Sequence, residues 1–192
     1  MTQLDLAILD WIQLHIRCGF LDAVMPPITA LGEAGIVWIA WTLVLLCTKR
    51  YRRVGAICAC SLLLDLLLCN ILIKPLVARI RPYDWNPMAP ELLVAEPADW
   101  SFPSGHTAAS FTAVSALYAG GTRLWMPAAV LSLLIAFSRL YLYVHYPSDV
   151  LAGLILGTCL GFVGRRMLSW LECRWNRRKR KARHSGKGER AR

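Results

Sequence analysis

The chain is poor in the features that mark metal-binding, disulfide-stapled or secreted proteins. Its seven cysteines, at 18, 47, 58, 60, 69, 159 and 173, show no paired ligand spacing, and Cys58-Ala59-Cys60 has no second pair, so a zinc site is excluded. An odd number lying mostly in apolar runs also argues against a disulfide framework, and these residues read as core filler. Residues 1–34 carry no cleavable-signal pattern: a basic region is missing there, and Asp5 and Asp10 interrupt the apolar residues. Acid is scarce at the other end. Residues 165–192 hold 12 Lys and Arg against 2 acids, which accounts for the whole net charge of +10. Because this basic stretch directly follows an apolar run, it reads as a cytoplasmic flank touching anionic lipid rather than a nucleic-acid surface. Histidine is rare as well. With only four in the chain, each one placed in a patterned segment counts.

What is abundant is apolar sequence. Hydrophobic residues make up 56% of the chain, above the roughly 45–50% of soluble domains. They fall in runs at Gly35–Thr48, Val54–Ile73, Ser104–Ala119, Leu124–Leu140 and Pro147–Leu168. A helical span needs about 20 residues, with about 17–25 tolerated. The expected fold is therefore all-α: an integral membrane bundle of about five transmembrane helices. An amphipathic helix at the interface precedes it, with Leu4, Leu6, Ile8, Leu9, Ile12, Leu14 and Ile16 among polar residues. Residues 1–168 form the membrane domain, with 1–34 as its interfacial segment, and 169–192 a basic tail expected to be disordered. Pro26-Pro27 and Gly32 are expected to break up the approach to the first span.

Charge orients these spans. Lys49-Arg50-Tyr51-Arg52-Arg53 marks a cytoplasmic turn, whereas residues 1–34 hold four acids, Asp5, Asp10, Asp22 and Glu33, against Arg17. The amino terminus and the long loop 74–103 are then extracytoplasmic and the tail cytoplasmic, in a multi-pass protein of the cell membrane. Gly153, Gly157 and Gly161 recur every fourth residue, a spacing that lets helices pack closely in lipid. Trp85, Trp100, Tyr141, Tyr143 and Tyr146 fall near the outer rim and read as an aromatic belt. Asp65, in mid-span, is either functional or a neutral acid paired with Asn70 or a neighbouring helix.

Lys74, Arg79, Arg81 and Arg139 all lie at outer ends of spans, against the positive-inside bias. Cations so placed call for an anionic partner. Phe102-Pro103-Ser104-Gly105-His106-Thr107 opens an apolar helix, and a helix mouth with unpaired N–H groups attracts phosphate. Pro103 is expected at the helix start. His106 stands in the same turn, where an imidazole can pass a proton. A third segment, Ser138-Arg139, is followed by His145 and then Asp149, on the same predicted face.

Three motifs in order, Lys74 to Arg81-Pro82, Pro103-Ser104-Gly105-His106, and Ser138-Arg139 with His145 and Asp149, resemble the signature of the type 2 phosphatidic acid phosphatase family, which also includes vanadium haloperoxidases. The resemblance runs from about Pro26 to Leu168. Many members have six spans, and here an amphipathic helix stands in place of the first. The resemblance implies that Lys74, Arg81 and Arg139 clamp phosphoryl oxygens, that Ser104 and backbone N–H groups near Gly105 complete the cradle, and that His145 attacks phosphorus to give a phosphohistidine. Asp149 would orient His145, and His106 would protonate the leaving oxygen and then activate water. No metal or other cofactor is implied. Arg79 stands outside the motif as at most an accessory contact.

The activity so implied is hydrolysis of a membrane lipid phosphate at the extracytoplasmic face, with undecaprenyl diphosphate the preferred substrate and phosphatidylglycerophosphate or phosphatidic acid the alternatives. A haloperoxidase is disfavoured because peroxidation of soluble halide needs no bilayer. A non-enzymatic lipid-binding membrane protein is disfavoured because every motif residue is present. Expected partners are the lipid phosphate substrate and membrane lipids, not nucleic acid.

Overall fold

The computed structural model describes residues 2–189 and gives an all-helical bundle. Helix α1 (Thr2–His15) is followed by α2 (Gly19–Leu31), a short 3-10 turn (Glu33–Gly35) and α3 (Ile36–Cys47). Helix α4 (Arg52–Asp65) continues through a π-helical stretch, Leu66–Ile73, into a single turn, α5 (Lys74–Val77), and then α6 (Pro82–Trp85). After the long loop come α7 (Gly105–Ala119), α8 (Trp125–Tyr141) and α9 (Pro147–Glu189).

Two helical stretches, Arg52–Trp85 and Pro147–Lys179, are long and apolar enough to cross a membrane, and α2 with α3 passes as a third, bent by 45° at its break. Helix α8, with 17 residues, is at the short limit of the length tolerated for a span, and α7, with 15, falls below it. Helix α7 runs through the middle of the bundle with Thr107, Ser110, Thr112 and Ser115 all buried, so its faces meet protein; Thr112 Oγ1 has no hydrogen-bond partner among the described residues, and the other three bond locally. Ser110 and Ser115, for example, donate to the carbonyls of His106 and Phe111.

The glycine ladder works as its spacing predicts. A Cβ on Gly153 would lie 2.7 Å from the Ser104 carbonyl, one on Gly157 would collide with the carbonyl of Ala108, and one on Gly161 with Ser115 Oγ. Helices α7 and α9 therefore touch backbone to backbone, which fixes the mouths of both helices relative to one another.

Several expectations change. Pro26 and Pro27 lie inside α2 rather than ending it. The break comes later, where Ala34 and Gly35 take positive φ values of 48° and 70°. Pro103 lies before the first turn of α7, and Ser104 is the cap. Among the cysteines only Cys58 and Cys69 are buried, and Cys18, Cys47, Cys159 and Cys173 are exposed. The tail expected to be disordered continues α9 as helix to Glu189, while residues 190–192 of that tail lie outside the described residues.

The amino-terminal segment is also more than an interfacial helix. Leu9 and Ile12 are buried in clusters with Tyr146, Tyr143 and Tyr141, whereas Leu4, Trp11 and Leu14 face outward. Its acids are tied down. Asp10 accepts from the Tyr143 hydroxyl at 2.7 Å, and Asp22 from that of Tyr141 at 2.6 Å. The three tyrosines read as belt residues are thus interior and brace the α8–α9 turn, while Trp85 and Trp100 are exposed.

Candidate active site

Local sequence explains how each side chain is delivered. The π-helical stretch Leu66–Ile73 widens the end of α4, and such bulges re-aim the residues beyond them. Pro75, with no N–H to continue the ladder, follows at once. Lys74 is thereby turned inward and buried. Ala78, at φ 47°, ends the turn, and an extended link carries Arg81 back over the site. Ser104 caps α7 by accepting from the Thr107 N–H at 3.5 Å. Pro147 opens α9, and Asp149 in the first turn accepts from the Tyr146 N–H at 3.1 Å, the acidic half of a capping box.

These elements bring the expected residues to one place. Lys74, Arg81, Gly105, His106, Arg139 and His145 all line one groove of about 1060 Å³. Arg81 is the hub. Its Nη1 donates to the Val144 carbonyl at 2.6 Å and lies 3.3 Å from His145 Nε2. Its Nη2 and Nε donate to the carboxylate and carbonyl of Asp99 at 2.5 and 2.8 Å. Lys74 pairs with the other oxygen of Asp99. Arg139 donates to Thr29 Oγ1 at 2.8 Å, leaving its buried Nε without a protein partner among the described residues.

Two expected residues lie behind the groove. Ser104 is fully buried, and its hydroxyl accepts from both Thr107 Oγ1, at 3.0 Å, and the Thr107 N–H. Its place is in the cap of α7, under Gly105. Asp149 is also fully buried, with Oδ2 3.6 Å from His145 Nδ1, beyond direct hydrogen-bonding range. Ser101 mediates: its hydroxyl donates to Asp149 Oδ2 at 2.5 Å and stands 3.5 Å from His145 Nδ1. The other oxygen, Oδ1, accepts from Arg79 Nη1 at 2.5 Å.

Electrostatics follow from this arrangement. Burial, then the positive charge of Arg139, Arg81 and Lys74, holds the His145 imidazole well below the usual histidine range, so Nε2 has a free lone pair at neutral pH. Burial resists ionisation of Asp99, but hydrogen bonding and charge from Lys74, with the charge of Arg81, prevail and bring its carboxyl down to about 2.

Asp99, Ser101 and Thr29 are absent from the sequence motifs. Only Ser101, two residues before Pro103, lies within reach of them. From the cations the groove runs inward past Ile39, Leu43 and Leu46 of α3 and Leu62, Leu63 and Leu66 of α4 and its continuation. Asp65 lines its inner part, with Oδ1 lacking a hydrogen-bond partner among the described residues.

The structure is thus a helical bundle whose basic cradle opens into an apolar groove, with two histidines beside the cations and a buried aspartate behind them. Residues 53–173 match the PAP2 superfamily, to which the chain belongs. An undecaprenyl-diphosphatase of Sulfolobus acidocaldarius is 36% identical over 129 residues, covering 66% of this chain and 61% of that protein. Phosphatidylglycerophosphatase B of Bacillus subtilis is 31% identical over 161 residues, or 77% and 75% of the two chains. The chain thus spans between about half and three-quarters of the length of such relatives; two decaprenylphosphoryl-5-phosphoribose phosphatases of Mycobacterium tuberculosis are matched over 50% of their length. Among solved structures, the LpxE of Aquifex aeolicus superposes with a TM-score of 0.74 at 27% identity, covering 85% of this chain and 95% of that one.

Proposed function

We propose that the chain is a lipid-phosphate phosphohydrolase of the membrane that works through a phosphohistidine, with undecaprenyl diphosphate as its substrate. The observation that carries this reading is the continuity of the groove: at one end four ionic or ionisable side chains, Lys74, Arg81, Arg139 and His106, surround the His145 edge, and the other end is walled by leucine and isoleucine. A ligand that fills it has a phosphate head and a hydrocarbon tail.

The chemistry follows from the geometry. His145 presents Nε2 beside Arg81 and Nδ1 toward Ser101 and Asp149. The Nε2 lone pair attacks phosphorus, the bond from phosphorus to the lipid-side oxygen breaks, and His106 gives that oxygen its proton. Lys74, Arg81 and Arg139 hold the equatorial oxygens, and the N–H of Gly105 at the mouth of α7 adds a donor. Negative charge held by Asp149 stabilises the imidazolium that forms at His145. Neutral His106 then takes a proton from water, which attacks phosphorus and releases phosphate, restoring His145.

The site faces the extracytoplasmic side in this reading, with the basic tail across the membrane and α2–α3, α4, α7, α8 and α9 as five crossings. A cysteine placed at Ala95 should react with an impermeant maleimide in intact cells, and labelling confined to lysed cells would invert the orientation. Phosphatidylglycerophosphate is the second reading, favoured by the length over which phosphatidylglycerophosphatase B matches. A panel of undecaprenyl diphosphate, phosphatidylglycerophosphate, phosphatidic acid and a soluble phosphate ester, compared by kcat/KM in excess EDTA, tests it. Preference for the soluble ester, or loss of turnover restored by Mg²⁺, would sink the proposal.

A further inference from the structure

Arg79 lies outside the phosphate clamp, yet it is the most heavily engaged cation behind the site. Its Nη1 donates to Asp149 Oδ1 at 2.5 Å and to Ser148 Oγ at 2.7 Å, and its Nη2 donates to Asp5 Oδ2 at 2.9 Å. Its guanidinium carbon lies 3.8 Å over the centre of the Tyr146 ring. Asp5, from α1, also accepts from the Ser148 N–H at 3.0 Å and from Ser148 Oγ at 2.7 Å. Both carboxylates are buried, so a single guanidinium lies between two acids that water does not screen.

Such an arrangement does more than pack α1 onto α9. Asp149 has only two oxygens, and the one nearer His145 accepts from Ser101 and the Tyr146 N–H, while the other belongs to Arg79. The charge that Asp149 offers to His145 therefore depends on how much of it Arg79 draws off. Asp5 sets that share by competing for the same guanidinium. We propose that Arg79 and Asp5 are positioning residues, which hold Asp149 in place and tune the charge it presents to His145. This rests on the reading of His145 as the nucleophile.

Other charges face the pair from every element around it: Lys74 at the head of α5, Arg81 before α6 and Asp84 on it, Asp99 in the long loop, His106 on α7 and Arg139 on α8, with the Tyr146 phenol ring beside Arg79. None of these changes in the following variants, so the pH dependence isolates the Asp5–Arg79–Asp149 relay. Arg79→Met leaves Asp149 uncompensated. The imidazolium form of His145 is then favoured, and the acidic limb of the kcat/KM profile moves to higher pH, by about one unit for the loss of a neighbouring charge. Asp5→Asn frees Arg79 to commit to Asp149, and the limb moves the opposite way. Arg79→Lys returns it toward the original position.

The test is the pH profile of the full-length protein in detergent, with undecaprenyl diphosphate or phosphatidylglycerophosphate, whichever turns over faster, for these three variants and His145→Ala. Opposite displacement by Arg79→Met and Asp5→Asn, with kcat lowered and KM retained, supports the proposal. Coincident limbs, or displacement in one direction by both, overturn it, since a purely structural role alters the active fraction and not the limb. Asp5→Asn is isosteric and its amide oxygen still accepts from the Ser148 N–H, so it decides the matter alongside Arg79→Lys if Arg79→Met fails to accumulate: an unmoved Asp5→Asn limb overturns the proposal. Turnover by His145→Ala would instead defeat the nucleophile reading, a result separable from all of these.

Discussion

Arg81 and Asp99 are joined twice, by Nη2 to a carboxylate oxygen at 2.5 Å and by Nε to the backbone carbonyl at 2.8 Å. The same carboxylate takes Lys74, so one side chain of the long loop occupies two of the three cations proposed to hold phosphate. In that proposal a phosphoryl group would compete with the Asp99 carboxylate for one fork. Asp99→Asn removes the competing charge while keeping the backbone contact, and KM for lipid phosphate should fall several-fold, with tighter inhibition by vanadate. A raised KM would show that Asp99 shapes the clamp rather than competing for it.

The pH dependence of this contact has a definite sign. The folded carboxyl of Asp99 titrates near 2, against about 3.9 for a free aspartate. Its contribution to stability is therefore complete above about pH 4 and is lost as pH falls through 2. The side chain is 51% exposed, so solvent screening keeps the effect modest. Melting curves of wild type and Asp99→Asn should converge between pH 4 and pH 2 and stay apart above it; parallel curves would contradict this.

Packing along α9 makes a second kind of prediction. A Cβ on Gly157 would run into the Ala108 carbonyl and stand 2.9 Å from the Thr112 nitrogen, both fixed backbone atoms. Gly157→Ala should lower stability by roughly 1–3 kcal/mol, the usual cost of overpacking, and Gly153→Ala similarly. Gly19, with nothing within 4 Å of its would-be Cβ, should accept alanine without loss. Thermal melts in one detergent compare them directly.

His106 should be needed for rate rather than for binding. His106→Ala should lower kcat by about 10²–10⁴ fold, the usual share of general acid–base catalysis, with KM changed little. Substrates with a better leaving group, such as an aryl phosphate carrying a lipid tail, should be hurt less, because their departing oxygen needs no proton. Equal losses for both substrate types would remove His106 from the acid role.

Much of this site could be read from the chain because its motif residues lie near the ends of helices, where sequence signals are local. Lys74 ahead of Pro75, the run to His106 at the mouth of α7, and Asp149 just after Pro147 are all marked by proline, glycine or capping chemistry. The partners that orient them are distant in sequence. Asp5 lies 74 residues from Arg79, and Thr29 110 from Arg139, and nothing in the local pattern of an amphipathic helix signals a buried acid. The tyrosines of the α8–α9 turn mislead for a related reason. An aromatic near a membrane rim has the same composition whether it faces lipid or bonds inward, and only packing decides. Two prolines in a row fail as a helix stop because α2 runs through them, and the bend falls at Ala34 and Gly35 instead.

At the upper edge of that bend Gly32 abuts the His106 ring, where a Cβ would sit 2.8 Å from Cδ2. Below it, Ile39 and Leu43 turn toward α4 with much of their surface uncovered. The groove is thus uncovered along its side, between α3 and α4. A lipid using it need not leave its leaflet, and its arrival becomes a search in two dimensions. The encounter rate then depends on the number of lipid phosphates per area of membrane, so dilution with inert phospholipid slows turnover, whereas dilution of the vesicles does not.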